Sequence, residues 1–194
     1  MEIEKIRDEV LKCRKCSLWK TRKNPVFGEG NINAEIMFVG EAPGFNEDKT
    51  GVPFCGKAGK VLDELLCSVN IKREEVFISN ILKCRPPNNR NPKDEEVNAC
   101  SQFLDKQIDI IKPKTICCLG NFAAEHIMKK FGLKDKIKGI SRIHGQVFLH
   151  NSIFGKLRII PLYHPAVATY NINMLEVLRE DFKVLSGGRQ KYNF

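Results

Sequence analysis

Three short apolar runs in this chain each stop on a polar or glycine residue. Glu35-Ile36-Met37-Phe38-Val39 stops at Gly40, Val76-Phe77-Ile78-Ser79 ends on Asn80, and Thr115-Ile116-Cys117-Cys118-Leu119 ends at Gly120. Between and around them lie segments with helical apolar spacing: Ile3/Ile6/Val10, Val61/Leu62/Leu65/Leu66, Val97/Cys100/Leu104/Ile108/Ile111, Phe122 to Lys130, and Leu175/Leu178/Phe182/Leu185. Gln146-Val147-Phe148-Leu149 and Arg158-Ile159-Ile160-Pro161-Leu162, the latter running on to His164, read as a hairpin. Buried strands alternating with helices predict a three-layer αβα sandwich around a small, mainly parallel sheet. Such sheets bind ligands beyond the carboxyl ends of their strands. Gly40-Glu41, Asn80 and His164 all follow strands, so residues far apart in sequence are expected to meet at one rim.

The 194 residues suit one domain spanning 1–194, with Ser186 to Phe194 read as a frayed polar tail. The loop Glu41 to Gly56 and the proline-rich stretch Arg85 to Pro92 are expected to be irregular, and Pro92-Lys93-Asp94-Glu95-Glu96 has the residues of a helix start. With 28% charged and 42% hydrophobic residues, the composition is that of a globular protein, and no stretch is apolar enough to span a bilayer. The first eight residues are too charged for a secretory signal, so the protein is expected in the cytoplasm. The net charge of +9 favours a polyanionic partner, nucleic acid foremost, with a merely Lys-rich solubilising surface as the plain alternative.

Eight cysteines in a reducing compartment favour metal or redox chemistry over disulfides, unless the chain comes from a hyperthermophile. Cys13-Arg14-Lys15-Cys16 is a CxxC, and Cys84 and Cys100 complete a possible tetrathiolate site for zinc or a [4Fe–4S] cluster; spacing alone does not separate the two. A thioredoxin-like role fits poorly, because the CxxC precedes the first strand. Cys67, Cys117 and Cys118 read as core residues, and Cys55 as a free loop thiol.

Gly40-Glu41-Ala42-Pro43-Gly44, Glu47-Asp48 and Gly51-Val52-Pro53-Phe54-Cys55-Gly56-Lys57-Ala58-Gly59 closely resemble the first motif of the family 4 uracil-DNA glycosylases, the iron–sulfur type of archaea and thermophiles, and His164-Pro165-Ala166 resembles the second. The similarity runs from about Cys13 to the final helix. It implies a uracil-DNA glycosylase fold, a [4Fe–4S] cluster on Cys13, Cys16, Cys84 and Cys100, and uracil-containing DNA as substrate. The reaction implied is monofunctional hydrolysis of the N-glycosidic bond in base excision repair, releasing free uracil and leaving an abasic site.

The residues are chemically suited to this. A base acted on by an enzyme must leave the stack and enter a pocket. Phe54 could stack on it. Asn80 offers an acceptor for uracil N3–H and a donor for O4, a pattern that opposes cytosine twice. His164 could hydrogen-bond O2 as negative charge develops there. Glu41 could orient or deprotonate the attacking water, or simply hold its own loop. By the resemblance, Glu47 walls off the C5 position. Glu41 and His164 are thus the expected catalytic residues, with Gly40, Ala42, Glu47, Phe54 and Asn80 also lining the substrate site.

Three departures stand out. The better-known glycosylase branch has an aspartate at Ala42, the family more often has Ser and a Leu-rich stretch where this chain reads Ala166-Val167-Ala168-Thr169-Tyr170, and His144-Gly145 replaces an expected Arg-Gly. Another deaminated base such as hypoxanthine, and a non-catalytic metal-stabilised DNA-binding module, are the alternatives. A sliding clamp suits a repair enzyme as partner, although Gln190-Lys191-Tyr192-Asn193-Phe194 matches a clamp-binding tail only weakly. The expected form is a monomer acting at the nucleoid of a prokaryotic cell.

Overall fold

The computed structural model describes residues 2–152, 155–186 and 191–193. The elements are α1 (Glu2–Lys12), β1 (Glu29–Gly30), β2 (Ile36–Gly40), α2 (Phe45–Thr50), α3 (Lys57–Ser68), β3 (Phe77–Asn80), α4 (Asp94–Ile111), β4 (Thr115–Leu119), α5 (Asn121–Lys130), α6 (Ile140–Ile143), β5 (Gln146–Ser152), β6 (Gly155–Leu162), α7 (Val167–Tyr170), α8 (Asn173–Phe182) and β7 (Lys191–Asn193). The strands form one sheet in the order β1-β3-β2-β4-β6-β5-β7. Its centre, β3-β2-β4-β6, is parallel, and β1 and β5 add antiparallel neighbours at the two sides.

Alternation along each central strand sorts side chains into two cores. Met37, Val39, Ile116, Cys118 and Ile159 pack with the apolar stripes of α1, α4 and α5 on one face. Phe38, Cys117, Leu119, Ile160 and Leu162 pack with Leu62, Leu65 and Leu66 of α3 and Leu178 and Phe182 of α8 on the other. Both faces of the sheet are therefore covered, which explains why its strands are apolar runs rather than alternating ones. Each buried Leu, Ile or Phe contributes on the order of 2 kcal/mol. Three layers result, as the pattern predicts.

The structure departs from the sequence reading at the margins. The Glu41–Gly56 loop contains α2, entered from Gly44 and closed by Gly51 in the left-handed conformation. The proline-rich loop holds a 3-10 turn at Pro87–Asn89, with Asn88 and Asn89 at positive φ. Lys191–Asn193, expected to fray, pairs in parallel with β5; Gln190 and Phe194 of the weak clamp-like tail lie outside the described residues. Cys117 and Cys118 are buried as expected, whereas Cys67 is exposed, because it falls on the outward side of α3. Among the described residues no helix is long and apolar enough to cross a membrane.

Candidate functional site

Sheet topology determines where the site forms. β2 has β3 on one side and β4 on the other, so the chain reverses its winding direction there. A crevice opens beyond the carboxyl ends at such a point. A cavity of about 280 Å³ lies there, lined by Glu41 to Gly44, Glu47, Phe54, Ala58, Asn80, Pro86, Asn89, Arg90, His164 and Ala166. The segments Gly40–Gly59, Asn80 and His164–Ala166 thus meet as predicted. Pro86, Asn89 and Arg90 are additions, and their sequence signal was only that the proline-rich loop follows Asn80 closely.

Asn80 closes β3 and is 2% exposed, yet its Oδ1 has no hydrogen-bond partner among the described residues. An unpaired buried carbonyl is costly, so this atom is an acceptor awaiting a donor. Gly40 makes room for it: a Cβ there would stand 2.3 Å from Asn80 Oδ1 and 2.9 Å from Phe54 Cζ.

Phe54 has φ 49°, a left-handed conformation unusual for a bulky residue. Two contacts hold it there. Glu47 Oε1 accepts N–H bonds from Cys55 and Gly56, both at 3.2 Å. Gly59 lets the backbone close in, since a Cβ there would lie 1.7 Å from the Phe54 carbonyl oxygen. The Phe54 ring then stacks with His164 at 5.5 Å between centroids. Glu47 lines the cavity as expected, but its carboxylate is engaged in fixing the loop that carries Phe54. Cys55, read as a free thiol, meets Thr50 Oγ1 at 3.2 Å.

His164 follows β6. Its Nδ1 accepts the Ala166 N–H at 3.2 Å, which puts the ring proton on Nε2. Burial lowers its pKa to about 4, against a smaller opposing pull from Glu47, so the imidazole is neutral near pH 7. Glu41 has its carboxyl pKa raised by burial. That carboxylate makes no hydrogen bond among the described residues, so it does not brace its own loop; the backbone does, through Leu82 N–H to the Glu41 carbonyl. Arg90 on the cavity wall is held by a two-pronged bond to Glu96, at 2.6 and 2.9 Å. Its guanidinium keeps the Glu96 carboxyl below the ordinary range.

On the α1/α4 side, Cys13, Cys16, Cys84 and Cys100 face one cavity together with Trp19, Arg22 and Phe103. Among the described residues no three His, Cys, Asp or Glu side chains gather closely enough to chelate a single ion. Two donors already point at the sulfurs: Arg22 at Cys84 Sγ, 3.1 Å, and the Lys83 N–H at Cys100 Sγ, 3.2 Å. Four thiols around a shared space, with N–H donors aimed at them, fit a group that binds thiolates from several directions. Elsewhere, His144 does not reach outward: its Nδ1 lies 2.7 Å from Asp181 and ties the start of β5 to α8.

Comparison with known proteins gives concordant results. Residues 27–184 match the model of the uracil DNA glycosylase superfamily. A type-4 uracil-DNA glycosylase of Sulfurisphaera tokodaii is 48% identical over 182 residues, covering 93% of this chain and 82% of that protein. One from Archaeoglobus fulgidus is 48% identical over 93% of this chain and 90% of its own length. One from Thermotoga maritima is 44% identical over 87% and 84% respectively.

Proposed function

The chain belongs to the uracil-DNA glycosylase superfamily, and from that membership and the pocket we propose that it flips uracil out of DNA and hydrolyses its N-glycosidic bond. It is a DNA glycosylase of base excision repair, and uracil-containing DNA is its substrate. The observation that carries this reading is the buried, unpaired Oδ1 of Asn80 at the floor of a cavity walled by Phe54 and His164. Uracil N3–H supplies the donor that this oxygen lacks, while cytosine presents an acceptor there and leaves both groups unpaired.

The geometry of the pocket supports a role for each residue. Phe54 stacks on the base. His164, neutral and protonated on Nε2, donates to O2 as the departing base gains negative charge; a donor fixed in place stabilises that charge without reorganising. Ala42 offers no acid, and Glu47 is occupied by Cys55 and Gly56. Glu41 is then the cavity carboxylate free to orient the water, and its raised pKa makes it a better base. Tyr170, 90% exposed at the end of α7 and four residues beyond Ala166, takes the place of the Leu-rich stretch as the wedge entering the vacated stack.

Cys13, Cys16, Cys84 and Cys100 hold a [4Fe–4S] cluster in this reading, which cross-links α1 to the Cys84 loop and α4. The test is incubation with uracil-containing DNA followed by alkaline cleavage. Strand breaks at uracil positions are expected, and their absence would remove the proposal.

A further inference from the structure

A lysine three residues beyond the end of β3 is almost fully enclosed. Lys83 is 1% exposed, although Lys is among the residues least often buried. Its ammonium has three protons and meets three acceptors: Ser79 Oγ at 2.7 Å, the Asn80 carbonyl at 2.8 Å and Gln107 Oε1 of α4 at 2.8 Å. Gln107 is anchored in turn, donating from Nε2 to the Phe27 carbonyl at 2.8 Å. No carboxylate takes part in these bonds. Burial pulls its pKa down to about 7, against a smaller opposing pull from Cys100, Asp105 and Cys84, so holding a charge at this position is costly.

The acceptor that distinguishes this arrangement is the Asn80 carbonyl. Beyond Asn80 the chain turns, with Ile81 N–H bonded to the Gly40 carbonyl and Leu82 N–H to that of Glu41, both at 3.0 Å. These bonds fix the peptides after Asn80 to the β2 end. The Lys83 ammonium pulls on the Asn80 carbonyl from the opposite core. The peptide plane of Asn80 is thereby fixed, and with it the direction in which the Asn80 side chain leaves the backbone. That side chain finds no partner of its own to orient its Oδ1.

We propose that Lys83 is a positioning residue for base recognition: its ammonium, braced by Ser79 and Gln107, sets the orientation from which Asn80 reads uracil. The inference rests on the uracil-reading role proposed for Asn80. Lys83 touches neither base nor water.

The experiment separates positioning from mere packing by using two variants. Lys83→Met keeps the length of the side chain and leaves Gln107 Oε1 with the Ser79 hydroxyl, at 3.0 Å, as its remaining donor. Lys83→Met/Gln107→Leu removes the donor together with one of its acceptors, which lowers the cost of the unpaired group, and the Ser79 hydroxyl still lies 3.2 Å from the Phe27 carbonyl that Gln107 leaves. The double variant is expected to regain thermal stability relative to the single one. It is still expected to excise uracil about 100-fold more slowly in single turnover, the scale of loss that a misplacement of about 1 Å produces. Inhibition by free uracil should weaken by a similar factor, while affinity for DNA carrying an abasic analogue and the iron content stay at the wild-type level. Recovery of excision and of uracil inhibition together with stability would overturn the proposal. So would equal losses in uracil inhibition and abasic-DNA affinity, which would mark a general structural defect. A wild-type protein inactive on uracil-containing DNA would instead remove the base-reading premise itself.

Discussion

Acidification puts the electrostatics of the pocket to a quantitative test. Burial holds the His164 pKa at about 4 in the folded protein, against about 6.5 for an imidazole in an unfolded chain. Above pH 6.5 both states hold the ring neutral, and His164 contributes no pH dependence. As pH falls below 6.5 the unfolded chain takes up a proton that the folded protein refuses, so stability declines. The decline ends near pH 4, where the folded protein accepts the proton too. The full gap is worth roughly 3 kcal/mol. The measurement is the free energy of denaturant unfolding at closely spaced pH values, for the wild type and for His164→Gln, which keeps a donor but does not titrate. The wild type should lose about 3 kcal/mol more than the variant between pH 6.5 and 4. Its single-turnover rate should show no inflection at 6.5; the acid limb should instead follow Glu41, whose pKa is raised above the usual carboxylate range. Parallel stability curves for the two proteins, or a wild-type rate inflection at 6.5 that His164→Gln abolishes, would refute the assignment of a buried, neutral imidazole.

Asn80→Asp exchanges the amide donor for an acceptor facing uracil O4, and uracil excision should fall about 10⁴-fold in single-turnover assays. Gly59→Ala drives a methyl group into the Phe54 carbonyl; a loss of about 1–3 kcal/mol in stability is expected, visible as a lowered Tm, together with weaker uracil inhibition. Cys84→Ala should lose iron and stability together, because the thiol site joins the N-terminal helix to the middle of the chain; iron assay and thermal melting check this. Tyr170→Ala should weaken binding to uracil-containing duplex by about 1–3 kcal/mol, the value of one stacking contact, as measured by titration against labelled DNA.

The sheet centre was legible because β2, β3 and β4 are buried on both faces and so appear as bare apolar runs. Gly40, Asn80 and His164 could be placed at one rim because each follows a strand of a mainly parallel sheet. What sequence concealed has physical causes. Phe45–Thr50 is a helix of only two turns with a single apolar residue, so it has no periodicity to detect. The pairing of β1 and β7 is decided by neighbouring backbone rather than by their own two or three residues. Glu47 was expected at the base edge and does line the pocket. Its bonds to amides eight and nine residues on, however, depend on loop closure that no local pattern encodes. Lys83 was concealed by its own chemistry, since a lysine between a strand and a cysteine reads as solvent-facing. Cys67 was misplaced in the other direction: it was read as core because it sits within an apolar element, but it falls beside the buried Leu65/Leu66 face and points outward.

The strand order has a consequence for how activity arises. Asn80 arrives with β3, whereas His164 arrives only after β6, and β2 and β4 lie between those two strands in the sheet. Eleven of the thirteen lining residues are therefore synthesised more than seventy residues before the other two, His164 and Ala166, and the earlier elements alone leave the pocket open on that side. Pairings of such long range form late, after local helices and the first strand pairs are in place. During refolding, helical signal should return ahead of uracil affinity, and the interval between them measures the docking of β6 against β4. A ribosome-bound chain that has not yet released β6 holds its base-reading asparagine in an open half-site, and becomes a glycosylase only when the last central strand docks.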